Sequence, residues 1–201
     1  MEDVLVVDSG GANLASLQFA LERLGARSRV SKNPAEVASA RRVILPGVGS
    51  APHAMQRLHD CDLTGVLAAL TCPVLGICLG MQLLFDESDE GPIRCLGILP
   101  GKVRRLASAP GRPVPHMGWN QLLGLYDDPL LEGIRNGDYV YFVHSFAVSV
   151  SAATLATTDY GAPLTAVARQ GNFWCTQFHP ERSAGVGARI LGNFLQVPSC
   201  Y

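Results

Sequence analysis

Between Thr64 and Phe85 the chain runs for 22 residues without one charged side chain. Only two kinds of structure take such a segment: a span through a bilayer, or elements buried inside a protein. The interruptions decide between them. Gly65, Pro73, Gly76, Gly80 and Gln82 break up any continuous apolar helix, and Thr71-Cys72-Pro73 reads as a turn. The segment is therefore expected to hold a helix end, a turn, a buried strand over Val74–Ile77 and the start of another helix. A strand that is apolar on both faces belongs in a parallel sheet covered by helices on both sides.

The chain before this segment repeats the theme. Asp3–Asp8 is a short apolar run ending in Ser9-Gly10-Gly11, and Ala12–Leu24 has helical spacing through Leu14, Leu17, Phe19, Leu21 and Leu24, closed by Gly25. Ser28–Val30 and Val43–Leu45 read as further strands. Asn33-Pro34 opens a short helix, and Ala51–His59 forms another after Pro46-Gly47-Val48-Gly49. Strands alternating with helices predict a doubly wound sheet, whose site lies beyond the carboxyl ends of the strands. The loops there are Ser9–Asn13, Pro46–Ser50 and Cys78–Gly80. After Ile93 the pattern changes: Leu99–Leu106, Asp138–Ser149, Thr154–Asp159, Leu164–Arg169 and Asn172–Phe178 read as strands joined by turns, and Ser183–Leu195 as a helix capped by Ser183. The expected fold is α/β: an open, mostly parallel central sheet flanked by helices, with an antiparallel extension in the second half, in one domain over residues 1–201.

Composition narrows the function. Net charge is −1 with no basic stripe, which argues against a nucleic-acid partner. Hydrophobic residues reach 48% and charged residues only 16%, so either much of the sheet is covered on both faces or some of the surface is covered by a partner. Met1-Glu2-Asp3 is acidic where a secretory leader would be basic. The six cysteines include no C-x-x-C pair or Cys/His cluster with metal spacing, and a chain this long and apolar does not need a disulfide framework. A reducing, cytoplasmic location without a metal fits best.

Chemistry enters at Gly76-Ile77-Cys78-Leu79-Gly80. A cysteine between two glycines, after a strand and before a helix, is lifted out of a tight turn, with the Leu79 N–H set to serve as an oxyanion donor. A thiol is mostly protonated at neutral pH, and a helix N-terminus and an imidazole both favour its thiolate. His179 and Glu181 supply that imidazole and a carboxylate to orient it. In extended chain, residues two apart point the same way, and Pro180 ends the strand there. Each motif alone is usually a packed turn or an incidental pair; together they read as a Cys–His–Glu triad. The order nucleophile, histidine, acid differs from that of the α/β-hydrolases.

Gly76-Ile77-Cys78-Leu79-Gly80-Met81-Gln82 with Gln177-Phe178-His179-Pro180-Glu181 resembles the triad-type (class I) glutamine amidotransferases, from Val4 to about Ser183. Pro46-Gly47-Val48-Gly49, Pro115-His116-Met117-Gly118-Trp119-Asn120 and Tyr141-Phe142-Val143-His144-Ser145 resemble one branch of that family, whose members pass ammonia to a (β/α)8-barrel cyclase subunit in histidine biosynthesis. The resemblance implies a cofactor-free glutaminase acting in a heterodimer. It implies that Cys78 attacks glutamine, His179 handles the protons and Glu181 holds His179. Gln82, Glu90 and the backbone of Ser145 and Phe146 would bind the amino-acid end of the substrate. Val48 and Gly49 would complete the oxyanion hole after a peptide reorientation. Asn13, Trp119, Tyr141 and Arg182 would meet the partner. His53 and His59 are expected at the surface, His144 as a hydrogen-bonded structural histidine, and His116 with the gate. Ser9, Phe146 and Arg182 depart from the family pattern, which usually has tyrosine, tyrosine and lysine there; none touches the triad. A stand-alone thiol peptidase or γ-glutamyl hydrolase, and a non-catalytic docking subunit, are the alternatives.

Overall fold

The uncharged segment is continuously buried from Cys72 to Phe85, whereas Gly65, Ala68, Ala69 and Thr71 before it are exposed. In the computed structural model, which describes residues 3–9 and 14–198, no helix is long and apolar enough to cross a membrane among those residues. The first half winds as β1 (Asp3–Val7), α1 (Leu14–Arg23), β2 (Arg27–Ser31), α2 (Pro34–Ala38), β3 (Val43–Gly47), α3 (Ala51–Asp60), α4 (Leu63–Ala68), β4 (Val74–Cys78) and α5 (Leu79–Leu83). The strand β4 and the helix α5 that begins at the very next residue share the uncharged run. Asn33 caps α2, its side-chain oxygen accepting from Ala35 N at 2.9 Å, with Pro34 at the first helical position.

The second half comprises β5 (Glu87–Ser88), β6 (Ile93–Arg94), β7 (Lys102–Arg105), β8 (His116–Gln121), β9 (Tyr139–His144), β10 (Phe146–Val148), β11 (Thr154–Asp159), β12 (Pro163–Gln170), β13 (Phe173–Thr176) and α6 (Ala184–Gln196). The central sheet has seven strands in the order β11-β12-β13-β4-β3-β1-β2. From β13 to β2 all neighbours are parallel; β11 and β12 add an antiparallel edge. This is the expected fold class. β10-β7-β5-β6 form a smaller sheet and β8–β9 a two-stranded ribbon.

Alternation in the strands fills both faces. Val4 and Val6 join the apolar cluster under α1 and α6, while Leu5 and Val7 join the one under α3 and α4. Each fully buried aliphatic side chain contributes about 1.5–3 kcal/mol, so the two clusters hold the sheet and fix its strand ends.

Three expectations are corrected. Asp138–Ser149 is not one strand: the chain breaks at Ser145, so β9 pairs with β8 and β10 pairs with β7 in another sheet. Residues 116–121, read only as a motif, form strand β8. Ser183 does not cap α6 with its hydroxyl, which instead donates to His179 O at 2.7 Å and accepts from Tyr141 N at 2.9 Å.

Candidate active site

Strand register brings the chemistry together. β4 lies between β3 and β13, with Gly47 opposite Cys78 and Thr176 opposite Ile77. The chain leaving β13 therefore carries Gln177, Phe178 and His179 past the sulfur, and the chain leaving β3 carries Val48 and Gly49 past it on the other side.

Cys78 turns at φ +54°, ψ −108°, a left-handed conformation that costs a non-glycine residue about 1–3 kcal/mol. Strain of this kind marks a nucleophile held on a sharp strand-to-helix turn. The turn is tight because α5 packs directly on β3: a Cβ on Gly80 would sit 1.8 Å from Leu45 O. Leu79 opens α5, where the first N–H groups have no partner within the helix.

Around the sulfur, its proton is directed to Val143 O at 3.7 Å, and Gln177 Nε2 faces it at 3.8 Å, a donor suited to a thiolate. His179 is buried, and its Nδ1 is 2.9 Å from Glu181 Oε1. Nε2 makes no hydrogen bond. Burial is the largest influence on this ring and disfavours its cation. The Cys78 sulfur and the Glu181 carboxylate outweigh it, and the pKa is pushed up to about 10. His179 thus rests as an acid with an open Nε2.

The pair does not meet as neighbours on a strand. β13 ends at Thr176, and Pro180–Arg182 form a 3-10 turn with His179 as its N-cap, so Glu181 reaches back across that turn. Hydrogen bonds from His179 N to Tyr141 O (3.0 Å) and from Ser183 Oγ to His179 O stitch the turn to β9.

A cavity of about 360 Å³ opens beside the sulfur, lined by Val48, Gly49, Cys78, Leu79, Gln82, Glu90, Pro115, Val143, His144, Ser145, Phe146 and His179. That is small-molecule scale. Gln82 Nε2 gives its hydrogens to Phe146 O (2.9 Å) and Gln177 Oε1 (3.0 Å), so its own Oε1 stays uncommitted. Glu90 Oε2 accepts from Ala51 N at 2.7 Å, anchoring the far end of the Pro46–Ser50 loop, while Ser9 Oγ donates to Pro46 O at 2.7 Å and anchors the near end. Between these anchors Gly49 stands at φ +96° with open space around it, a peptide free to turn. A second hollow of about 110 Å³, lined by Pro46, Gly47, Val48, His179, Glu181 and Arg182 among others, lies against the same histidine and loop.

Trp119, Tyr141 and Arg182 form one group at the outer surface. Trp119 is 52% exposed and meets Tyr141 edge-to-face at 6.0 Å, and the Arg182 guanidinium lies 5.7 Å over the Tyr141 ring. Asn13 lies outside the described residues. His53 and His59 are exposed, and His144 is buried and hydrogen-bonded, as expected. His116 does not line the cavity; it is buried, stacked on Phe142 and Tyr160 and 2.9 Å from His144. Gln177 was given no role from sequence, although its place two residues before His179 marked it as a neighbour of the sulfur.

The family model for class-I glutamine amidotransferases matches residues 5–197. Two proteins described as imidazole glycerol phosphate synthase subunit HisH, from Xylella fastidiosa (strain Temecula1) and Xanthomonas euvesicatoria pv. vesicatoria, are each 53% identical over 197 residues, covering 98% of both chains. Among solved structures, PurLQS from Thermotoga maritima aligns with a TM-score of 0.72 at 18% identity, over 96% of this chain and 97% of that one, which establishes a shared fold. Sequence and architecture agree: the chain belongs to the class-I glutamine amidotransferases.

Proposed function

We propose that this chain is the glutaminase subunit of an imidazole glycerol phosphate synthase. It cleaves glutamine through a Cys78 thioester and passes the ammonia to a (β/α)8-barrel cyclase subunit seated on Trp119, Tyr141 and Arg182. The observation that carries the reading is the shared cavity, which sets Cys78 and a cationic His179 beside the polar side chains of Gln82 and Glu90. The name of the relatives adds the synthase and the complex.

In this mechanism the Cys78 thiolate attacks the side-chain amide carbon of glutamine. The Leu79 N–H and the turned Val48–Gly49 peptide stabilise the oxyanion. His179 gives the Nε2 proton to the departing nitrogen, and ammonia leaves. The now neutral ring takes a proton from water, whose hydroxide opens the thioester to glutamate, and Glu181 keeps the ring oriented throughout. Glu90 supplies a carboxylate, and Gln82 an amide oxygen, for the substrate ammonium. Residues 1–201 act as one amidotransferase domain.

Ammonia in water becomes ammonium and is no longer a nucleophile, so it needs an enclosed path to its acceptor. The hollow between His179, the Pro46–Val48 segment and Arg182 lies on the side of the exposed aromatic group, which favours departure in that direction. Aromatic and arginine side chains suit an interface anchor. The Val48–Gly49 peptide must turn before it can complete the oxyanion hole, so the isolated chain is expected to hydrolyse glutamine slowly, with a liganded cyclase shifting the loop to its active form.

Cys78→Ala tests the division of labour. Synthesis from glutamine by the complex should be lost, while synthesis from an added ammonium salt continues. Loss of both, or of neither, contradicts the proposal, and rapid cleavage of γ-glutamyl peptides by the chain alone would favour a stand-alone hydrolase.

A further inference from the structure

The β8–β9 ribbon has two faces. Met117 and Trp119 on β8 are exposed, whereas His116 on β8 and Phe142 and His144 on β9 turn into the protein. The buried histidines belong to a chain of hydrogen bonds whose direction can be read link by link.

A carbonyl only accepts, so the 2.8 Å contact between His144 Nδ1 and Phe146 O puts a proton on Nδ1. Burial above all holds His144 neutral, with its pKa pushed down to about 4; His116 and His179 act the same way, against the Phe146 carbonyl. Its Nε2 is then a lone pair and accepts from His116 Nδ1 at 2.9 Å. His116, also kept neutral by burial, accepts at Nε2 from Asn120 Nδ2 at 3.2 Å. The same amide group gives a hydrogen to Asp159 O at 2.8 Å. Every link has one donor and one acceptor; from Asn120 through His116 and His144 the donors point toward Phe146 O, while the second hydrogen of the Asn120 amide ties the start of the chain to β11.

That carbonyl stands where the chain changes sheets. Leu106 N bonds Ser145 O across the ladder at 2.9 Å, so the next carbonyl faces away from β7. Side chains hold it instead: His144 Nδ1 and Gln82 Nε2 take its two lone pairs. Gln82 in turn fixes Gln177, whose Nε2 faces the Cys78 sulfur.

We infer that His116 and His144 are positioning residues, a relay of fixed polarity that begins beside Trp119 on the ribbon and holds the Phe146 carbonyl and the Gln82 amide in the geometry that receives glutamine. The inference rests on reading the cavity as the glutamine site. It gives the ribbon a second use: a partner that shifts the Trp119 face also moves His116 and Asn120, and the shift arrives at the substrate edge of the pocket.

The test measures how well glutamine protects Cys78 of the full chain from a diazoketone analogue of glutamine, with iodoacetamide as a probe that ignores the amino-acid end. Wild-type labelling without protection by glutamine would refute the glutamine site itself, separately from the relay. His144→Gln removes the donor at the Nδ1 position and is expected to weaken protection about tenfold, the worth of one hydrogen bond. Its iodoacetamide rate should stay within about twofold. His144→Asn places an amide nitrogen where Nδ1 stood but loses the acceptor for His116, and is expected to recover part of the protection, leaving it about threefold below wild type. Equal protection constants for the two variants, both normal or both weak, overturn the relay, as does a parallel fall in iodoacetamide reactivity. Should His144→Gln fail to fold, His116→Phe keeps the stacked ring and deletes the next donor. Protection weakened about threefold or more then supports the relay, and wild-type protection overturns it.

Discussion

His179 and His144 border the same cavity and are both enclosed, yet the protein holds them in opposite states of charge. His179 has a carboxylate on Nδ1 and a sulfur nearby, and its cation persists to about 10. His144 has a carbonyl and a second imidazole, and stays neutral down to about 4. Burial pushes both the same way, so the partners make the difference. One ring is equipped to give away a proton; the other is equipped to keep one in place.

The comparison breaks most severely at Glu181. Glu181→Gln removes the charge that opposes burial, and glutamine turnover should fall by about 10⁴-fold, as when the orienting acid of a catalytic triad is replaced by its amide. The pKa of His179 should fall with it. The same substitution tried on the neutral pair has no counterpart, because His144 answers to a carbonyl. Gly80→Ala attacks the frame that aligns both rings. Its Cβ would press on Leu45 O, and a loss of several kcal/mol in denaturant unfolding is expected.

pH separates the two regions without mutation. His116 and His144 bind protons more weakly in the fold than in the unfolded chain. Stability is therefore lost as pH falls from about 6.5 toward about 4, and His116→Phe should flatten that limb of a melting-temperature profile. His179 binds its proton more tightly in the fold. Its contribution is full below about 6.5 and is lost as pH rises through about 10, a limb that Glu181→Gln should flatten. The smallest effect concerns strain at the nucleophile. Cys78→Gly relieves a left-handed cysteine where Cys78→Ala does not, and the glycine variant should be more stable by about 1 kcal/mol, with both inactive.

These regions also differed in how far the sequence exposed them. The strand ends around Cys78 were legible because their signals are local: a continuous apolar strand, glycines on either side of a cysteine, a proline after a histidine. The ribbon was hidden because its signals are not. Asp138–Ser149 is rich in strand formers along its whole length, and only the choice of partners splits it at Ser145 into strands of two sheets. Residues 116–121 carry Gly118 and Asn120, poor strand formers, and become a strand by pairing with β9. Ser183 has the composition of a helix cap, but tertiary packing brings the backbones of His179 and Tyr141 within reach first. The contact of His179 with Glu181 was foreseen, but it spans a turn rather than a strand.

The account turns on a buried imidazole at position 179 that is positively charged beside Cys78 while its neighbour at 144 is neutral. Nitrogen-15 NMR of the ring nitrogens across a pH titration reads both in one spectrum. The expected result is a His179 cation that persists at neutral pH and deprotonates near 10, with His144 protonated at Nδ1 alone until the pH falls toward 4. A neutral His179 at pH 7, or a His144 that titrates in step with it, would contradict the account.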